Sequence, residues 1–572
     1  MIKARIRPVN PDANLKSYFR KYREFSWEDV EKEFSGYDPG RLNIVDHSVD
    51  RWAEHPEKKD QWALVVEKGG KIDRFSYWRL RDESCRFANL LVEEGFKNGD
   101  RLFIFLPPCP EIYIAMLGCA RLGVIFTNIF HTLGYDELEW SLRNAEPRAV
   151  LTHPELVERL PQGVLADSSR VFVTGESGPG IVAGELPLEG ALSSMSTEFD
   201  NARFPAETPL YILYTSGSTG PPKGVVHGHQ DMLGQYITAK YVLDLNEDSA
   251  LWVDGNPAWV TGTVYGAFAP WLCGACSVVQ GDKFSASTWY RTIETHKVSV
   301  WYTTPSNLRK LMEAGDDLPG RYDFSHFRHV ASVGDTLIPD LYYWVKKCLN
   351  RVPHDTWWMT ETGMICIASY PSEETRPGCI GKPVPGIEAA VLDADGEPLE
   401  ILSLGELALK TPWPALMTGI WRDEERTAAY FRNGWFLTGD MVIKDEDGYY
   451  SHQGRKDDLI KAGEMFMGPY DIEGVLRLHP AVAEAAVIAK SSDRAKTSVK
   501  AFVTVTEDHT PSMRLNREIT AFVKTNLHSE VPLTEIEFLP KLPKSRSGKM
   551  LRRALRAREL GLPTGDLSKL ED

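Results

Sequence analysis

Short apolar runs alternate with longer amphipathic stretches over most of this chain. RLFIFLP (101–107), RAVLTHP (148–154) and PLYILYT (209–215) have the length and composition of buried strands. FSYWRLRDESCRFANLLVEEG (75–95) repeats apolar residues at helical spacing and stops at Gly95. SWEDVEKEF predicts a helix opened by Ser26, and HGHQDMLGQYITAKYVLDL another. The stretch from Leu102 to Phe126 is strongly apolar but broken by Pro107, Pro108, Pro110, Glu111 and Arg121, which predicts a buried strand, a turn and a packed helix. Strand–helix alternation from about 46 to 205 argues for an α/β domain with largely parallel sheets. DSSRVFVTGESGPGIVAG (167–184) is expected to be a looser surface segment. Two units of one design, VSVWYTTPS (298–306) and HVASVGDTL (329–337), run from strand to loop. Ligands of such sheets bind beyond the carboxyl ends of strands, which gathers Thr303, Thr304, Gly334, Asp335 and Thr336 at one crevice.

Composition changes after QGRKDD (453–458), and a boundary is placed there, giving domains 1–453 and 454–572. The second is small and α+β. PYDIEGVLRLHP predicts a helix with Pro469 near its start, and AEAAVIA and VKAFVTV read as strands. At 572 residues the chain exceeds one ordinary core, which supports the division.

Composition is that of a soluble globular protein, 42% apolar and 25% charged. The formal charge of −15 argues against coating nucleic acid. The first residues lack the apolar core of a signal peptide, and no apolar run is long enough to span a membrane, so the expected location is the cytoplasm. Eight cysteines suit a reducing compartment, and Cys273 and Cys276 are expected to be small buried residues of a strand.

Three dense motifs carry the chemistry. YTSGSTGPPKG (214–224) follows a strand and gathers glycines, hydroxyls and Lys223. Glycine lets a backbone approach a polyanion, hydroxyls donate to it, and lysine supplies charge. Pro221 and Pro222 separate Gly220 from Lys223, so the Walker pattern is not met and the loop belongs to a different class. HDTWWMTETG (354–363) holds Glu361, a carboxylate suited to Mg²⁺, beside two tryptophans that suit either a packed core or an adenine face. In GWFLTGD (434–440), Asp440 follows a strand-like run, where a carboxylate can accept both hydroxyls of a ribose or simply close a turn. Near the end, SRSGK places Lys549 on a glycine-containing loop ahead of a basic helix.

These motifs, in this order, resemble the acyl-adenylate-forming enzymes from about residue 45 to 560. DTWWMTETG, AWVTGTVYG, FLTGD, GRKDD and LPKSRSGKMLRR look like AMP-forming acetyl-CoA synthetases, especially the shorter bacterial type. The resemblance implies a large N-terminal domain of layered, mostly parallel sheets with helices, and a small mobile α+β lid hinged at Asp457. It implies that Thr215, Ser216, Gly217, Ser218, Thr219, Gly220 and Lys223 embrace the phosphates of ATP. Gly334, Asp335, Thr336, Asp355, Thr356 and Trp357 would frame adenine, and Asp440 and Arg455 the ribose. Thr360 and Glu361 would meet the α-phosphate and Mg²⁺. Lys549 would bridge the incoming carboxylate and the α-phosphate. Val260, Thr261, Val333 and Trp358 would wall an acyl pocket cut to acetate, with propionate second. Trp259, Gly463 and Glu464 would line the path of coenzyme A. In KAGEMFMGP, Glu464 and Phe466 stand where the family carries glycine and arginine.

The expected activity is an acid–thiol ligase using ATP, Mg²⁺ and coenzyme A. Two alternatives stand beside it: a free-standing adenylation enzyme serving another nucleophile, and a non-catalytic nucleotide sensor. Expected partners are small molecules, with neither nucleic acid nor membrane, in a monomer or homodimer.

Overall fold

The computed structural model describes residues 10, 12–165, 169–175, 185–215, 222–458, 460–462, 465–492, 496–527, 533–544 and 550–561. Among the described residues, three sheets build the large domain. One has six neighbouring parallel strands, in the order Pro353–Trp357, His329–Ser332, Val300–Thr303, Ala250–Val253, Cys276–Gln280 and Trp62–Lys68, with antiparallel edges. These strands are largely buried and rich in Val and Trp, as a sheet covered on both faces requires. The second sheet runs in parallel from Pro209–Thr215 through Ile125–Asn128, Arg101–Phe105, Ala149–Thr152 and Arg170–Val173. The third is antiparallel and includes Leu404–Lys410, Trp435–Lys444 and Tyr450–Arg455.

Local signals explain the helices. Ser76 Oγ accepts from Arg79 N at 3.4 Å to open Tyr77–Glu93. Pro110 starts Pro110–Leu122, which ends on Gly123 at φ +82°. Gly118 faces the Phe87 ring so closely that a Cβ would lie 2.7 Å from it, which lets the two helices meet.

Two expectations are corrected. Arg170–Val173, inside the segment read as a loose surface, pairs with Ala149–Thr152. Its Phe172 is fully buried, and an apolar residue there outweighs the flanking Gly and Ser. Cys273 caps the helix Ala269–Leu272 rather than lying in a strand, while Cys276 does open one. Both are free thiols, and burial pushes each up to about 12.

The small domain has its own core, in which Ile472, Leu476, Val487, Val503, Ile519 and Val523 pack together. A three-stranded sheet, Val482–Ser492, Lys496–Val505 and Leu533–Phe538, carries the helices Pro469–Arg477, Met513–Asn526 and Arg552–Glu559. The strand Tyr450–Arg455, paired with Trp435–Lys444, spans residue 453. Asp457 sits in the 3₁₀ turn that follows, and its carbonyl accepts from Arg556 Nη2 of the small domain at 2.8 Å.

Candidate active site

The strand Pro209–Thr215 turns back as Lys223–Gly228, with Thr215 opposite Lys223. Of the loop between them, Ser216, Gly217, Ser218, Thr219 and Gly220 lie outside the described residues, as do Gly463, Glu464 and Lys549. The Lys223 ammonium meets Glu361 Oε1 and the Tyr430 hydroxyl, and that hydroxyl donates to the same Oε1 at 2.9 Å. Glu361 is 3% exposed. Burial pushes its carboxyl up, and Lys223 more than offsets this, leaving it below the usual carboxylate range. The 3₁₀ turn Thr360–Thr362 presents it, and His227 Nε2 donates to the Thr360 carbonyl at 2.7 Å from behind. Gly363 closes the turn at φ +66°, where a Cβ would fall 2.0 Å from the Ala415 carbonyl oxygen.

The neighbouring strand ends form a second cluster. Ser332 pairs with Asp355 in parallel register. Asp355 Oδ2 accepts from Leu337 N at 3.3 Å and Oδ1 from Thr356 N at 3.1 Å, while burial pushes the carboxyl up to about 8. Gly334, at φ +91°, leaves room for the Trp259 ring, which would lie 3.0 Å from a Cβ. Asp335 Oδ1 accepts from the Tyr470 hydroxyl of the small domain at 3.0 Å. Thr336 Oγ1 lies 3.1 Å from His452 Nδ1.

Asp440 faces Arg455 across antiparallel strands. Arg455 Nη1 donates to its Oδ1 and Trp357 Nε1 to its Oδ2, each at 2.7 Å. The Asp440 carboxylate raises the Arg455 guanidinium further. Both oxygens of Asp440 thus carry a protein donor. Trp357 is buried and held by its indole N–H, so packing and site geometry use the same ring.

Trp358 ends a directed chain. Thr356 Oγ1 donates to the Ser332 carbonyl at 2.6 Å, so it accepts from the Tyr302 hydroxyl at 2.7 Å. Tyr302 in turn accepts from Trp358 Nε1 at 3.0 Å. The Tyr265 ring meets the indole edge-on, with centroids 5.1 Å apart. Val260 and Thr261 open the short helix Val260–Thr263, and Val260 and Val333 belong to the core against which Trp358 packs. Among the described residues, the hydroxyls of Thr215 and Thr261 are buried with no hydrogen-bond partner.

Tyr430, Tyr302, His452 and Tyr470 were not singled out from the sequence. Each lies far along the chain from the residue it touches, with no local spacing to mark it.

A model of the AMP-binding enzyme family matches residues 49–421. The chain belongs to that family. A second model, the AMP-binding enzyme C-terminal domain, matches residues 471–549. Acetyl-coenzyme A synthetase of Bacillus subtilis (strain 168) is 43% identical over 569 residues, 99% of each chain. The acetyl-coenzyme A synthetase of Methanothrix soehngenii is 33% identical, over 94% of this chain and 85% of its own. Among solved structures, the anthranilate CoA ligase AuaEII in complex with anthranoyl-AMP superposes with a TM-score of 0.83 at 28% identity, over 94% of this chain and 99% of that one. Membership in the family fits the layered sheets and the small C-terminal domain.

Proposed function

We propose that this protein is an AMP-forming acetate–CoA ligase, taking propionate as its second substrate. The observation that carries the reading is the partly buried contact of Lys223 with Glu361, which joins the first and second motifs at one point. Relatives matched over essentially the whole chain are named for acetyl-CoA synthesis, which favours coenzyme A over a carrier protein as acceptor.

The chemistry explains the residue types. Carboxylates are poor electrophiles toward a thiol, and attack on the α-phosphorus of ATP converts acetate into an acyl-adenylate with AMP as leaving group. That attack brings anion to anion, so positioning and cations dominate. Lys223 and the hydroxyls of the glycine-rich loop take the outgoing phosphates. Asp440 and Arg455 hold the ribose, while Gly334, Asp335, Thr336, Asp355, Thr356 and Trp357 frame adenine. Lys549 bridges the carboxylate and the α-phosphate. Met550 and Lys544, on either side of its loop, line one cavity with Asp335 and Thr336, which supports this role.

A single buried carboxylate with no cluster of metal ligands among the described residues fits Mg²⁺, which keeps its waters and shares phosphate oxygens. Glu361 is the residue that would hold it, and the ion would supply charge neutralisation at the phosphates. In the second half-reaction the lid turns about Asp457 and the thiol enters past Trp259, Gly463 and Glu464. The rigid Trp358 indole, with Val260, Thr261 and Val333, limits the acyl pocket to two or three carbons. Among the described residues no helix is long and apolar enough to cross a membrane, which supports a cytoplasmic place for small-molecule chemistry.

The test is acyl-CoA formation from acetate, propionate or butyrate with Mg-ATP and CoA, with pyrophosphate release followed without CoA. Thioester formed from acetate ahead of propionate, with little from butyrate, is the expected result. Adenylate formation without thioester would replace CoA by another acceptor.

A further inference from the structure

One half-buried side chain at the centre of the site has no role in the chemistry above. Tyr430 follows the helix Glu424–Ala428, and its ring stacks on Phe436 with centroids 5.4 Å apart and planes 4° from parallel. The hydroxyl donates to Glu361 Oε1 at 2.9 Å, and Lys223 Nζ lies 4.8 Å from the centre of the ring. An ammonium has donors only, so its contact with Tyr430 runs from nitrogen to phenol oxygen and leaves the phenol proton for Glu361. Lys223, Tyr430 and Glu361 therefore form a closed ring of donors around one carboxylate oxygen.

On the reading of Lys223 as a phosphate ligand, nucleotide draws its ammonium away from Glu361 and opens that ring. When it turns to the phosphates, a carboxylate that is 3% exposed loses its cation, and an unpaired buried charge is costly. The side-chain donor that stays is the Tyr430 hydroxyl, whose ring is clamped by Phe436 independently of either partner. We infer that Tyr430 is a positioning residue: its hydroxyl keeps Glu361 oriented for the metal after Lys223 has left the carboxylate. The inference rests on the reading of Glu361 as the Mg²⁺ ligand and Lys223 as a phosphate ligand.

Tyr430→Phe removes the hydroxyl and keeps the ring on Phe436. The readout is calorimetric binding of α,β-methylene-ATP to wild type and variant, once with saturating Mg²⁺ and once in EDTA. We expect Tyr430→Phe to bind the Mg²⁺-loaded analogue about tenfold more weakly, the size of one hydrogen bond to a charged group. Binding in EDTA should stay within about twofold, as should the thioester step from supplied acetyl-AMP. Equal affinity for the loaded analogue, or equal loss with and without Mg²⁺, would overturn the inference. Glu361→Gln separates the two layers. If it keeps the full Mg²⁺ enhancement of binding, the metal-ligand reading fails. If it loses the enhancement while Tyr430→Phe behaves as wild type, the role of Tyr430 alone fails. Should Tyr430→Phe be unstable, Phe436→Leu loosens the clamp without touching the hydroxyl, and it should weaken the loaded analogue selectively; an unchanged ratio of the two affinities would again refute the role.

Discussion

Trp357 donates its indole N–H to Asp440 Oδ2 at 2.7 Å, joining a strand end of the parallel sheet to the antiparallel sheet beside it. The proposed adenine and ribose subsites are thereby tied by one bond between residues 83 positions apart. Trp357→Phe keeps a ring and removes the donor. A hydrogen bond to a charged group contributes about 1.5–3 kcal/mol, so the KM for ATP should rise roughly tenfold or more. The KM for acetate should be nearly unchanged. Steady-state kinetics with each substrate varied in turn decides this, and equal changes in both constants would count against a nucleotide-specific tie.

Trp358 is held by Tyr302 and by the edge of Tyr265. Replacing it with glycine opens space for several methylenes, each contributing about 0.8 kcal/mol on burial. Trp358→Gly should shift preference from acetate to C4–C6 acids. Tyr302→Phe frees the indole without removing it, and should lower discrimination against propionate by about fivefold, the value of one neutral hydrogen bond. Competition assays with paired acids measure both. A glycine variant that still prefers acetate would show that the indole does not bound the pocket.

Asp355 carries a pH signature. Burial raises its carboxyl from the ordinary 3.8 to about 8, so the native state holds a proton that the unfolded state has lost between those values. Its contribution is therefore present below pH 4 and lost as pH rises through 8. Thermal midpoints should fall from pH 6 to 8.5 more steeply for wild type than for Asp355→Asn. Parallel curves would show that the group does not titrate in this window.

Arg552 and Glu473 are both buried in the small domain, with Arg552 Nη2 2.8 and 2.9 Å from the two carboxylate oxygens. Glu473 Oε1 also accepts from Val487 N at 2.9 Å. Arg552→Ala leaves the carboxylate without its cation, a loss of about 3–5 kcal/mol. Amide hydrogen exchange should accelerate in Val482–Ser492 and leave Pro209–Thr215 unaffected. Uniform acceleration over both domains would contradict independent cores.

Much of this molecule was legible in local runs of residues. The strand Pro209–Thr215 and helices Tyr77–Glu93 and Pro110–Leu122 announce themselves by apolar period, by Gly95 after the first helix and by Pro110 at the start of the second. Lys223, Glu361 and Asp440 stand out as candidates in the sequence because a glycine-rich loop, a carboxylate in a dense motif and a strand-end aspartate keep their chemistry within ten or so residues. Where short-range signals competed, they misled: flanking glycines hid the strand Arg170–Val173, whose Phe172 is decided by the core it fills.

What the sequence alone determined is which functional groups this protein possesses and on which kinds of element they sit. Which of them meet was settled by tertiary structure. Tyr430 reaches Glu361 across 69 positions, and Tyr302 reaches Trp358 across 56. Such pairs depend on strand order and on which sheets pack together, and a tyrosine at the contact has the same local surroundings as one that merely packs. Period and propensity act over a few residues, whereas the partner of a buried hydroxyl is chosen by whatever the whole fold brings within 3 Å of it.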